Sequence, residues 1–160
     1  MMIQDPMTKI ADYAASILNA EPEKCESVFS RVADCFEDDL LEFDEFSPEY
    51  FSFVIAILSE ERFFSRAGAW NFLLVLSTER EKLLESHYSA LVQAIYEGYP
   101  KYKNGDLCFS VCDFIARNYK ATEARGILNR LKQLEVDKGS ELRGFADDGL
   151  DILENEIKRK

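Results

Sequence analysis

Glycine and proline are scarce in this chain, 7 and 4 of 160 residues, which excludes an all-β fold built on many tight turns. Long apolar runs are missing as well. Stretches such as Phe72-Leu73-Leu74-Val75-Leu76 cover a turn or two of helix, whereas a membrane-crossing helix needs roughly 20 apolar residues. The opening Met1-Met2-Ile3-Gln4-Asp5-Pro6 carries neither the basic nor the apolar region of a signal peptide, so a cytoplasmic location is expected. Histidine occurs once, as His87 beside Ser86 at an expected helix start, where a surface position is the plain reading. Nucleophilic catalysis needs Ser, Cys or Thr beside a base, usually His, and one isolated histidine offers little for it. No glycine-rich loop leads into a helix, so there is no phosphate cradle.

The four cysteines, Cys25, Cys35, Cys108 and Cys112, include no CxxC pair, and each falls on an apolar or near-apolar helical stripe. In a reducing compartment such residues behave as small buried hydrophobes. The acidic run Asp38-Asp39-Leu40-Leu41-Glu42-Phe43-Asp44-Glu45 lacks the central glycine and alternating oxygen ligands of a calcium loop. The expectation is a non-catalytic chain with no metal and no cofactor.

Basic residues are the last shortage: 19 Lys and Arg against 30 Asp and Glu, a net charge of −11. That balance disfavours nucleic acid, whose phosphates need cations, and disfavours anionic membrane surfaces. The deficit is lopsided. Residues 1–80 hold 16 acids and 6 bases, while residues 81–160 hold 14 and 13. Such a field speeds encounter with a basic partner protein.

What is present is apolar residue at helical spacing. Hydrophobic residues make up 47% and aromatics 12%, enough for one compact domain with a real core. Eight helices are expected, in pairs over approximately 6–37, 47–76, 86–119 and 121–158. Asp5 with Pro6 starts the first, and Glu21-Pro22 breaks it and opens the second, striped by Cys25, Val28, Phe29, Val32, Cys35 and Phe36. An acidic connection, Glu37 to Phe46, follows. Ser47-Pro48 opens the third helix, and Ser59 caps a fourth running through Phe63 to about Leu76. Ser86, Asp106 and Ser140 are the expected caps of the fifth, sixth and eighth.

The second members of the pairs repeat. Asp34, Asn71, Asp113 and Asp148 recur at spacings of 37, 42 and 35 residues. Two positions earlier stand Val32, Ala69, Val111 and Ala146, and two later Phe36, Leu73, Ile115 and Leu150. The eighth helix, with Leu142, Arg143, Ala146, Gly149, Leu150 and Leu153, resembles the second helix of HEAT-like αα-repeat proteins. The fourth, with Arg66, Ala69, Leu73 and Leu76, matches in part, Phe72 standing where a small residue is usual. Glu60 and Asp137, six residues before those arginines, also fit. Phe29 and Cys108 replace the arginine in the first and third pairs. The resemblance implies an all-α fold: a right-handed stack of about four antiparallel helix pairs, an α-solenoid of HEAT/ARM type, forming a single domain over 1–160.

Three groups of residues are candidates for partner contact. Asp34, Asn71, Asp113 and Asp148 would form a ladder along the row of second helices, where they either brace neighbouring repeats or meet a ligand. Glu37, Asp38, Asp39, Glu42, Asp44 and Glu45, interleaved with Leu40, Leu41, Phe43 and Phe46, form either a solvated loop or a surface whose carboxylates imitate nucleic-acid phosphates. Tyr96, Tyr99 and Tyr102, with Lys101 and Lys103, either pack a repeat junction or contact a partner. A small, acidic, helical-repeat chain without catalytic residues is similar to immunity proteins of bacterial toxin systems, including contact-dependent growth inhibition. That likeness implies a basic partner such as a nuclease toxin. The alternative is an intracellular adaptor or scaffold subunit that docks a peptide in its concave groove.

Overall fold

The computed structural model describes residues 6–42, 48–78, 80–138 and 142–159, and every regular element among them is helical. The α-helices are α1 (Pro6–Leu18), α2 (Cys25–Leu41), α3 (Pro48–Leu58), α4 (Asn71–Thr78), α5 (Glu85–Gly98), α6 (Gly105–Asn118), α7 (Ala121–Lys138) and α8 (Phe145–Lys158). Short 3-10 turns fill several of the connections.

Each helix buries the stripe its sequence carries. On α2 the inward residues are Phe29, Val32, Ala33, Phe36 and Leu40, spaced as one face of a 3.6-residue helix. Phe36 is fully buried and takes the rings of Tyr50 and Phe72 edge-on, at 5.4 Å each, joining α2 to α3 and α4. Such ring pairs contribute about 0.5–1.5 kcal/mol beyond the area they bury. The buried side chains form one continuous apolar cluster from Ile17 on α1 to Leu153 on α8.

Neighbour relations follow a simple order. α2 packs on α1 and α4, α4 on α6, and α6 on α8; α3 packs on α1 and α5; α7 packs on α6 and α8. The contact of α6 with α8 is the most extensive, and Gly149 permits it. A Cβ at that position would lie 2.7 Å from Leu128 Cδ2 and 3.1 Å from Cys112 Cβ.

Several boundaries depart from the sequence reading. The expected acidic connection after residue 37 is helical as far as Leu41, because Leu40 continues the buried stripe from Phe36. The expected fourth helix is two 3-10 turns, Glu61–Phe63 and Ala67–Trp70, followed by the short α4. Gly68 lies against α2 there, its N–H donating to Glu26 Oε2 at 2.6 Å, and Arg66 is extended with Nη1 donating to the Pro22 carbonyl oxygen at 3.3 Å. Asn104, not Asp106, caps α6, accepting from the Leu107 N–H at 3.1 Å. Leu84, not Ser86, stands at the cap of α5, two residues early, with His87 Nδ1 accepting from the Leu84 N–H at 2.9 Å. His87 is half-buried against Phe51, ring centroids 4.4 Å apart, not a plain surface residue. Cys35 is exposed, although Cys108 and Cys112 are buried as expected.

At α8, Leu142 and Arg143 precede the helix, and Gly144 turns the chain with φ +95, a backbone conformation that favours glycine. Buried Glu135 on α7 accepts the N–H groups of Gly144 at 3.0 Å and Ala146 at 3.2 Å, so a carboxylate from the preceding helix satisfies the start of α8. Asp5, Ser47 and Ser140, the expected caps of the first, third and eighth helices, lie outside the described residues.

Candidate functional site

The C-terminal turns of α2 separate the acidic segment into an outward and an inward set. Asp34, Asp38 and Glu42 are exposed, and their i, i+4, i+8 spacing puts them on one side of the helix with Leu41, itself 62% exposed. Glu37 is half-buried beside them. Asp44, Glu45, Phe43 and Phe46 lie outside the described residues.

Asp39 corrects the expectation of partner contact, because it points into the fold and is only 7% exposed. Its carboxylate accepts from Lys9 Nζ at 2.9 Å, from Tyr50 Oη at 2.8 Å and from the Tyr13 hydroxyl. One carboxylate thus ties α1, α2 and α3 together. Burial, reinforced by the hydrogen bond to Asp39, holds the Tyr13 and Tyr50 hydroxyls protonated far above the ordinary tyrosine range. The same hydrogen bond raises Lys9, against the smaller opposing effect of burial.

The outward set sits where its own helix least favours it. The C-terminal end of a helix carries partial negative charge, and α2 has no basic residue in its last turn. Like charges at i, i+4 each cost a few tenths of a kcal/mol more, about 0.2–0.5. Lys82 offsets part of this from outside the helix, its Nζ donating to the Leu40 carbonyl oxygen. Two residues further on, Leu84 is 63% exposed. At the end of α2 the exposed carboxylates therefore stand beside the bare Leu41.

The ladder residues fall on consecutive packed helices but in unlike settings. Asn71 and Asp113, both half-buried, line a cleft of about 280 Å³ between α4 and α6. Asp113 accepts from Arg117 Nε at 2.7 Å, and Arg117 Nη1 donates to Glu156 Oε1 on α8 at 3.0 Å, so this rung braces α6 to α8. Asp34 and Asp148 are exposed. Two residues that the sequence reading overlooked complete the cleft: Leu74, 71% exposed, and Phe109, 42% exposed. An apolar residue on an amphipathic helix carries no local mark of exposure, and the packing of α4 on α6 is what leaves these two open.

The tyrosines divide. Tyr99 and Tyr102 correct the expectation of partner contact, since they are core residues at 0% and 2% exposure. Tyr102 stacks edge-on with Trp70 at 4.9 Å and Phe64 at 5.1 Å, and the Tyr99 hydroxyl lies 3.7 Å from Cys112 Sγ. Tyr96 is half-buried and faces a different groove, between α5 and α7.

Among the described residues, no helix is long and apolar enough to cross a membrane, and no cluster of three or more His, Cys, Asp or Glu could hold a metal ion. No family model matches the chain, and neither a curated protein nor a solved structure matches it.

Proposed function

We propose that this chain is a non-catalytic, cytoplasmic protein-binding protein whose partner is a basic protein, and that its role is immunity: holding a cationic toxin, such as a nuclease, in a neutralised complex. A HEAT-like arrangement of helix pairs is part of this reading. The succession α2, α4, α6, α8 along one side and α1, α3, α5 along the other supports it, as does the small-residue approach at Gly149.

One observation carries the functional claim. Asp38 and Glu42 stand exposed with Leu41 at a helix end that disfavours negative charge, and Asp34 adds a third exposed carboxylate one turn before them. Lysine or arginine from a partner relieves that repulsion through charge-assisted hydrogen bonds, and Leu41 supplies dry contact beside them. The acidic N-terminal half adds steering, which makes association fast and salt-sensitive.

The test is to purify the chain from its native cell with its bound protein, identify that protein, and express it with and without the chain. A basic partner tolerated only in the chain's presence is expected. Replacing Asp34, Asp38 and Glu42 with Lys should slow its association. A harmless or acidic partner, or unchanged kinetics, overturns the reading.

The adaptor reading draws on the α4–α6 cleft, where Leu74 and Phe109 flank Asn71 and Asp113. It expects a non-toxic peptide partner whose binding is lost in Leu74→Asp or Phe109→Asp and is indifferent to charge reversal on α2.

A further inference from the structure

α3 packs on α5, and α7 packs on α6 and α8, but α5 and α7 make no comparably close contact with each other. Between them runs a groove of about 670 Å³, within the size range of ligand sites. From α5 it receives Glu85, Tyr88, Val92 and Tyr96, spaced along one helical face; from the other wall come Tyr119, Glu123, Gly126 and Ile127. We propose that this groove is a second recognition site, separate from the α2 end, which takes a cationic side chain, arginine or lysine, presented by a protein partner.

Tyrosine rings carry negative faces that attract such cations, and the aliphatic stem of Arg or Lys suits Val92 and Ile127. The Tyr119 hydroxyl donates to the Tyr88 carbonyl oxygen at 2.7 Å and its ring meets that of Tyr88 edge-on at 5.1 Å, so this pair is fixed in place before any ligand arrives. Burial raises Tyr88 and Tyr96, which therefore stay neutral at physiological pH.

Gly126 is the second sign. It sits in the interior of an 18-residue helix, where glycine weakens the helix, and a Cβ there would meet nothing within 4 Å. Among the described residues no packing contact explains it. Its bareness leaves the wall open to an incoming side chain.

The charges around the groove are mixed, and their arrangement is informative. Glu85 and Glu123 line it along with Lys120, whose Nζ lies 3.9 Å from Glu85 Oε1. Arg80 and Arg130 act on Tyr88 and Tyr96 respectively. Lys120 already places an ammonium against a groove carboxylate, and a partner's cation would displace it.

The test is an NMR titration of the full chain with N-acetyl-arginine amide and with its neutral isostere N-acetyl-citrulline amide. Saturable shifts at Tyr88, Tyr96 and Gly126 are expected with the first and not the second. Gly126→Leu should abolish them while the melting temperature stays level or rises. Tyr96→Leu should weaken binding by about tenfold, the scale of one partly shielded cation–π contact. Lys120→Ala should tighten it. Equal response to citrulline amide, no saturable shift, or full binding by Gly126→Leu overturns the proposal. Reversal of Asp34, Asp38 and Glu42 leaves this titration unchanged, so the two proposed contacts fail separately.

Discussion

Asp39→Ala is the sharpest perturbation of the fold. It removes one carboxylate that accepts from three donors on two other helices: Lys9 and Tyr13 on α1 and Tyr50 on α3. Lys9 is partly open to water, 22% exposed at its side chain, so its ammonium can rehydrate. Tyr50 is wholly buried, and its hydroxyl would lose the bond to Asp39 at a place bulk water does not reach. Hydrogen bonds to a charged group contribute about 1.5–3 kcal/mol. Removing one member of a buried ion pair costs about 3–5 kcal/mol. The exposure of Lys9 places the expected loss at the lower end, about 3 kcal/mol, or about 6–12 °C in Tm for a chain of this length. Urea unfolding followed by circular dichroism measures it as a fall in midpoint at constant slope. The double variant with Tyr50→Phe should lose less than the sum of the singles, by about 1 kcal/mol. A loss under about 0.5 kcal/mol, the range of ordinary surface substitutions, refutes the clasp, and so does strict additivity.

Alkaline pH should unfold the chain. Burial raises Tyr13, Tyr50, Tyr99, Tyr102 and Tyr119 above their ordinary value of 10.0. Above that pH the unfolded chain releases hydroxyl protons that the folded chain keeps, so stability falls as pH rises. Lys9, raised by its bond to Asp39, acts in the same direction: its contribution is full below 10.5 and is lost above. Melts at pH 8 and pH 11 test this, and equal Tm values would contradict it. Glu135→Ala strips the acceptor from the Gly144 and Ala146 amides and should cost about 2 kcal/mol. Amide exchange at those two positions should accelerate, and unaltered protection would sink the cap. Along the ladder, Asp148→Ala should change stability by less than about 0.5 kcal/mol. Asp113→Ala should lose up to about 1 kcal/mol with its partly exposed ion pair to Arg117. Thermal melts that reverse this order would reassign the two rungs.

Apolar periodicity made the helices legible: Phe29, Val32 and Phe36, or Leu128 and Leu131, point inward as their spacing requires. Gly149 was legible as a small residue, though not as the point where α8 closes on α6. Periodicity failed where polar groups decide. Asp39 looks like its neighbours in an acidic run, and nothing local reveals that Lys9 and Tyr50 will come to meet it. The break before α4 depends on Glu26, some forty residues away, bonding the Gly68 amide. Tyr99 and Tyr102 sit in a turn rich in Lys and Pro, yet the rings of Phe64 and Trp70 enclose Tyr102. Of the candidate site, the sequence carried the carboxylates. It did not carry the exposed Leu41, Leu74 and Phe109, because an apolar residue one helical step from a buried stripe is indistinguishable from that stripe until its neighbours are known.

Asp38 and Asp39 are adjacent, about 100° apart around a helix, and the first is open to solvent while the second is sealed in. That single step divides residues the architecture depends on from residues it leaves at the surface. Positions 34, 38, 41 and 42 are therefore open to wholesale randomisation, and a library built on them should yield mostly folded variants. The same library built on 36, 39 and 40 should yield mostly aggregates.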